Sequence, residues 1–176
     1  MPEKPAYEEL EQLKPELTEV LNILHEEKGL FAALFEGSRD AIFLSDRNAA
    51  FVLVNDAACE LTGYSKKELL RMSIPDLHAP EDRQAFQKYF QRIINGEPVL
   101  SEANIRRKNG EKIPVEFNNR AVLINGNTYM HTVARDISGR KQFEQFLKES
   151  EVHFRTLSNA AFESIFLSEN GKCLAQ

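Results

Sequence analysis

Residues 129–141 read Tyr-Met-His-Thr-Val-Ala-Arg-Asp-Ile-Ser-Gly-Arg-Lys. The first half sets Met130, Thr132 and Ala134 against His131, Val133 and Arg135, a period of two that predicts a strand with one face turned inward. Alternation then stops. Asp136 and Ser138 carry short oxygen-bearing side chains suited to accept from backbone N–H groups at a helix start, and Phe143, Phe146 and Leu147 follow at helical spacing. A strand therefore runs directly into an outgoing helix. Asp136, Ile137 and Ser138 form the junction through which a sheet upstream is joined to whatever lies downstream.

Working back from this junction, two Asn-Gly turns punctuate the preceding alternation. Strand Leu100–Arg107, turn Asn109-Gly110, strand Lys112–Leu123, turn Asn125-Gly126 and strand Thr128–Ile137 make an antiparallel meander. Further upstream, Ala41–Ser45 and Phe51–Val54 are β-rich runs joined by Asp46-Arg47-Asn48, a turn composition, so they predict a hairpin. The segment between is helical. Asn55 and Asp56 can cap a short helix that Gly63 ends, and Ser65-Lys66-Lys67-Glu68 is a capping box for another. Pro80, Glu81 and Asp82 open a longer helix with an apolar stripe of Phe86, Phe90, Ile93 and Ile94, which Gly96 stops.

The order predicts an α+β fold: a five-stranded antiparallel sheet with short helices on one face, flanked by N-terminal and C-terminal helices. Its small interior is the natural place for a ligand. The inward candidates are Ile42 and Leu44 from the first strand, Val52 and Val54 from the second, and Phe86, Phe90 and Ile93 from the long helix. The meander adds Ala103 and Ile105, then Val115, Phe117 and Asn119, then Met130, Thr132 and Ala134. These side chains either fill the core against one another or enclose a small, mainly apolar ligand. Asn119 and Thr132 need partners if buried, which a ligand's polar atoms or ordered water would supply.

The N-terminal segment carries Leu10, Leu13, Leu17, Val20 and Leu24 at alternating spacings of three and four, the seam of a helix that pairs with another helix. Pro15 predicts a break and Gly29 a stop. Phe31, Leu34, Ile42, Phe43, Leu44 and Ser45 recur at one constant offset as Phe154, Leu157, Ile165, Phe166, Leu167 and Ser168. The repeat predicts two tandem copies of one domain, the second cut off just after the Asn170-Gly171 turn. The expected organisation is an N-terminal amphipathic helix over 1–29, a complete domain over 30–138, a linker helix over 139–153 and the start of a second domain over 154–176. The linker continues the seam with Phe143, Leu147, Ser150, Phe154 and Leu157, so a homodimer through the N-terminal and linker helices is expected.

The chain has 22 Lys and Arg against 27 Asp and Glu, a net charge of -5, so no overall positive field draws it to nucleic acid or anionic lipid. Cys59 and Cys173 fall in no metal-ligand or disulfide pattern, which fits a reducing compartment. Lacking a signal sequence or a long apolar run, the chain is expected to be cytoplasmic, without membrane contact. No glycine-rich nucleotide loop, Ser/His/Asp arrangement or metal cluster stands out, so no catalytic residue and no enzyme activity is assigned.

Asn55-Asp56-Ala57-Ala58, Leu61-Thr62-Gly63-Tyr64-Ser65, Leu77-His78-Ala79-Pro80-Glu81-Asp82, Arg107-Lys108-Asn109-Gly110 and Arg135-Asp136-Ile137-Ser138-Gly139-Arg140-Lys141 together resemble the successive signatures of a PAS domain, in family order and spacing. The resemblance covers about Phe31 to Lys141, and the truncated repeat resembles the opening of a second such domain. It implies a sensory or interaction module of a signalling protein, commonly a bacterial histidine kinase or a cyclic-dinucleotide enzyme. The cofactor is left open, and neither flavin nor haem is expected. Light-sensing members carry a reactive cysteine where Ile74 stands, and Ile105, Val115 and Ala134 occupy the places of their flavin-contacting amides. Haem-binding members carry a histidine near Ala85, and His78 reads as a capping or exposed residue. His153-Phe154-Arg155-Thr156-Leu157 lacks the acidic residue and the proline of a kinase phosphoacceptor box, and the internal repeat accounts for it. Two function classes follow: a ligand-sensing input domain, or a relay that dimerises and transmits without a small molecule. An interaction module of a transcription regulator is a further alternative.

Overall fold

Alternation and turn chemistry place the strands within a residue or two of expectation: β1 (Ala41–Ser45), β2 (Phe51–Val54), β3 (Val99–Arg106), β4 (Lys112–Ile124) and β5 (Asn127–Asp136). The computed structural model describes residues 4–78 and 83–166. All five strands form one antiparallel sheet in the order β2-β1-β5-β4-β3. The strand that hands on to the outgoing helix is thus the central one, paired with β1 on one side and β4 on the other. Asn125 and Gly126 both have positive φ (49° and 78°), the conformation that a two-residue hairpin turn requires and that these two residue types tolerate best.

The helical segment covers the inward face. α2 (Asp56–Thr62) is capped at its start by Asn55, and Gly63 ends it in the left-handed region (φ 76°). α3 (Lys66–Leu69) has the expected capping box between Ser65 and Glu68. A second box that the sequence reading did not use, Ser73 with Asp76, opens a single 3₁₀ turn over Ile74–Leu77. α4 (Arg83–Ile94) follows, and the helix start read from Pro80, Glu81 and Asp82 lies outside the described residues. Phe43, Phe51, Leu61, Leu69, Phe90, Ile105 and Val115 form the packed core between sheet and helices.

Two expectations about the flanking helices are corrected. α1 runs without interruption from Lys4 to Glu36, through Pro15 and past Gly29. Nucleating a new helix costs more than propagating across one poor residue, and an exposed helix leaves the carbonyl freed by the proline to water. The stop is Gly37, whose N–H closes onto Ala33 O at 2.9 Å and where a Cβ would meet that same oxygen at 2.5 Å. At the other end, α5 spans Ser138–Phe166 and is still helical at Ile165 and Phe166, where the repeat predicts a strand. A strand there needs a neighbour for its N–H and C=O groups, whereas a helix satisfies its own. Asn170-Gly171, the turn of the expected second hairpin, lies outside the described residues.

Candidate functional site

A cavity of about 400 Å³ lies between the inward sheet face and the helical cover. Strand phase decides which residues reach it. Thr132 of β5 lies opposite Phe43 of β1 and Asn119 of β4, and Asn119 in turn lies opposite Val99 of β3, so these positions share one face. Phe86, Ile93, Ile105, Phe117, Asn119, Met130 and Thr132, all candidates from the sequence, line the cavity, and Ala103 stands at its β3 side. Val54, Phe90, Val115 and Ala134 are buried in the adjoining packed core instead.

Ile42 and Leu44 point the other way, to the outer sheet face, and this corrects the sequence phase. The run Ala-Ile-Phe-Leu-Ser is apolar at both parities, so alternation alone does not say which side is in. Pairing with β5 puts Ala41, Phe43 and Ser45 inside, at 2%, 4% and 1% exposure. Val52 is likewise outside. An irregularity in the β1–β2 ladder sets Leu44 opposite Leu53 but Ser45 opposite Phe51, so Phe51 and Val54 both turn inward and Val52 is extruded.

The polar content of the cavity is small. Thr132 Oγ1 donates to Asn119 Oδ1 at 2.8 Å, and Asn119 Nδ2 reaches Val99 O at 3.4 Å, so the buried pair partly satisfies itself. The sequence reading missed His78 as a wall residue. It is a cap but not exposed: it closes the 3₁₀ turn with its N–H on Pro75 O, it is 9% exposed, its Nδ1 lies 3.0 Å from Ile74 O, and its ring sits beside those of Phe86 and Phe117. The Ser73–Asp76 box just ahead of it was the available signal, because a capped turn there directs the following residue back toward the sheet. Cys59 is half-buried against the core and does not reach the cavity, and burial pushes its thiol above the usual value. Among the described residues no cluster of His, Cys, Asp and Glu is placed to hold a metal ion.

One wall of the cavity is β3, an edge strand paired only with β4. Its inward positions Ser101 and Ala103 flank the space. By alternation Glu102 faces outward, where its carboxylate takes Arg140 Nη2 at 2.5 Å and Lys141 Nζ at 2.7 Å, both from the first turn of α5. Glu116, opposite Glu102 on β4, adds a 3.5 Å contact to Arg140. The junction residues themselves are held differently. Asp136 Oδ1 accepts from Ser138 N at 2.8 Å, its other oxygen stands 3.7 Å from Arg107 Nη2, and buried Ile137 donates its N–H to Pro114 O at 3.1 Å. Ser138 is the first residue of the helix, so Asp136, not Ser138, accepts at its start.

An antiparallel sheet closed on one face by short helices around a ligand-sized space, with long helices entering and leaving, defines a small α+β domain built around a cavity. The chain belongs to the PAS domain family, whose profile matches residues 39–139. It is 25% identical over 140 residues to sporulation kinase E of Bacillus subtilis, covering 80% of this chain and 19% of that protein. It is 30% identical over 141 residues to the nitrogen fixation regulatory protein of Klebsiella oxytoca, covering 78% of this chain and 28% of that one. The chain therefore spans less than a third of the length of these curated relatives. The PAS domain of an HTR-like protein from Haloarcula marismortui superposes with a TM-score of 0.63 at 26% identity, over 68% of this chain and 99% of that domain. No described helix is long and apolar enough to cross a membrane.

Proposed function

We propose that this chain is the ligand-sensing input module of a larger bacterial signalling protein and works in the cytoplasm, passing the state of its cavity to an output domain through α5. Similarity to sporulation kinase E supports a kinase as the parent, which in this reading is a histidine kinase. The observation that carries the reading is the double role of β3: one face borders a cavity of about 400 Å³ and the other is ion-paired to the first turn of α5. A ligand that displaces this edge strand, or the central β5 beside it, moves the base of the helix. The module itself carries no catalytic group in this reading.

Two copies are proposed to pair through α1 and α5. Leu13, Leu17, Val20 and Leu24 on α1 are between 52% and 61% exposed, and Phe143, Leu147, Phe154 and Leu157 on α5 between 51% and 71%. With 33 residues α1 is long enough for about four heptads, which strengthens the seam read from sequence. These exposed stripes also favour the second reading, a relay that dimerises without a small molecule. Mass spectrometry of the purified chain, native and then denatured, separates the two. A compound released on denaturation supports sensing, and a chain purified from several growth conditions with nothing bound supports the relay.

A further inference from the structure

We propose that the cavity takes a neutral, flat ligand that donates a hydrogen bond to His78 Nε2, an inference that rests on the ligand-sensing reading. A carbonyl oxygen only accepts, so the 3.0 Å contact to Ile74 O places a proton on Nδ1. In the neutral ring Nε2 then offers a lone pair, and it has no partner among the described residues. The ring is buried and held by that bond and by Phe86 and Phe117, with centroids 5.8 and 6.1 Å away, so the acceptor is fixed in place. An acceptor fixed in an apolar wall favours a ligand O–H or N–H over one that lacks a donor. Asn119 supplies the complementary group: its Oδ1 is occupied by Thr132, and of its two amide hydrogens only one is drawn to Val99 O, over a long 3.4 Å.

Charge and shape narrow the class. Among the described residues the lining contains no Lys or Arg, and its one carboxylate, Glu102, is turned outward to Arg140 and Lys141. Among the described residues a ligand carboxylate or phosphate would find no counter-ion, which strongly disfavours it. Phe43, Phe51, Phe86 and Phe117 present flat apolar surfaces that a planar ring fills better than a branched chain does. The volume, near the lower end of the range of about 300–1,000 Å³ for small-molecule sites, suits a ring system of one or two rings.

Calorimetric titration of the chain with indole, N-methylindole and indolecarboxylate tests this. Indole is neutral and flat and has an N–H; its methylated form has the same ring without the donor; the third probe adds a negative charge. Indole should saturate one site, N-methylindole should bind about ten-fold more weakly, and the carboxylate more weakly than indole. His78→Phe keeps an aromatic ring between Phe86 and Phe117 but removes Nε2, and should bring indole down to the level of N-methylindole, while His78→Gln, which retains an acceptor, should restore part of the difference. If His78→Phe does not fold, the wild-type comparison of the two neutral probes decides alone. Equal binding of indole and N-methylindole overturns the role of His78 and leaves the sensing reading intact. Tighter binding of the carboxylate overturns neutrality, and no binding of any probe overturns the ligand class, the sensing reading being judged separately by the compound that does or does not co-purify.

Discussion

The two long helices are fastened to the same sheet by opposite kinds of chemistry. The end of α1 is held by Asn55, which is 0% exposed and spends its whole amide: Oδ1 accepts from Ile42 N and Ala58 N, and Nδ2 donates to Phe35 O and Asp40 O. Glu36 adds a bond to Asp56 N at 2.8 Å and an ion pair to Lys66 at 2.7 Å, which hold its carboxyl below the ordinary value. The start of α5 rests on buried Ile137 and otherwise on solvent-accessible ion pairs around Glu102, Glu116, Arg140 and Lys141. Buried neutral hydrogen bonds are costly to break and indifferent to salt, while exposed pairs contribute little each and are screened. The difference describes a fixed base at α1 and an adjustable attachment at α5, which is what the proposed passage of a signal through α5 needs.

The largest effect should come from Asn55→Ala. Four hydrogen bonds are lost, and Ile42 N and Phe35 O are left without the partner they have, while Asp40 O keeps Ser38 Oγ and Ala58 N keeps the Asn55 carbonyl, so the domain should lose about 2–3 kcal/mol in denaturant titrations. Asn55→Asp should be no milder, because it sets a second acceptor against the carbonyls of Phe35 and Asp40. If Asn55→Ala costs no more than a substitution at the α5 junction, the contrast between the two attachments fails.

Asn55 also shows where sequence reading stops. Its place before Asp56 identifies it as a cap, because capping is a local pattern, and Gly63, the Ser65 box and both Asn-Gly turns are legible for the same reason. Its grip on α1 is invisible in sequence, since Phe35 O and Asp40 O are backbone atoms that any residue would offer. Within the site, the alternation of β4 and β5 put Phe117, Asn119, Met130 and Thr132 at the cavity. β1 offers no such guide, because it is apolar at both parities, and Phe43 rather than Ile42 or Leu44 faces the cavity. His78 entered the wall only through a turn whose direction depends on the sheet it packs against.

Asp136→Ala should cost the folded domain less than about 1 kcal/mol, since it removes one exposed cap-like bond to Ser138 N and a long contact to Arg107. Its consequence should lie in transmission. In the parent protein the output activity should lose its response while the domain's thermal unfolding stays near wild type. A mutant that signals normally would remove the Asp136 contacts from the mechanism and leave it to the Glu102 and Glu116 pairs and to Ile137.

The smallest effect, and the one most particular to the adjustable attachment, is its dependence on pH. The Lys141 ammonium, with Arg140 beside it, holds the Glu102 carboxyl below its ordinary value near 4.5, and Glu102 in turn raises Lys141 above its ordinary 10.5. A depressed acid contributes above its unfolded value and is lost as pH falls through its folded value; a raised base contributes below its unfolded value and is lost as pH rises through its folded one. The link is therefore intact between these two limits, and it loosens in acid as Glu102 takes up a proton. Spin labels on β3 and on the second turn of α5 should give a narrow distance distribution near neutrality that broadens in acid. In Glu102→Gln the distribution should already be broad at neutral pH. A Glu102→Gln chain as narrow as wild type at neutral pH would mean that the Glu102 pairs do not hold α5, and the contrast with the attachment of α1 would fail.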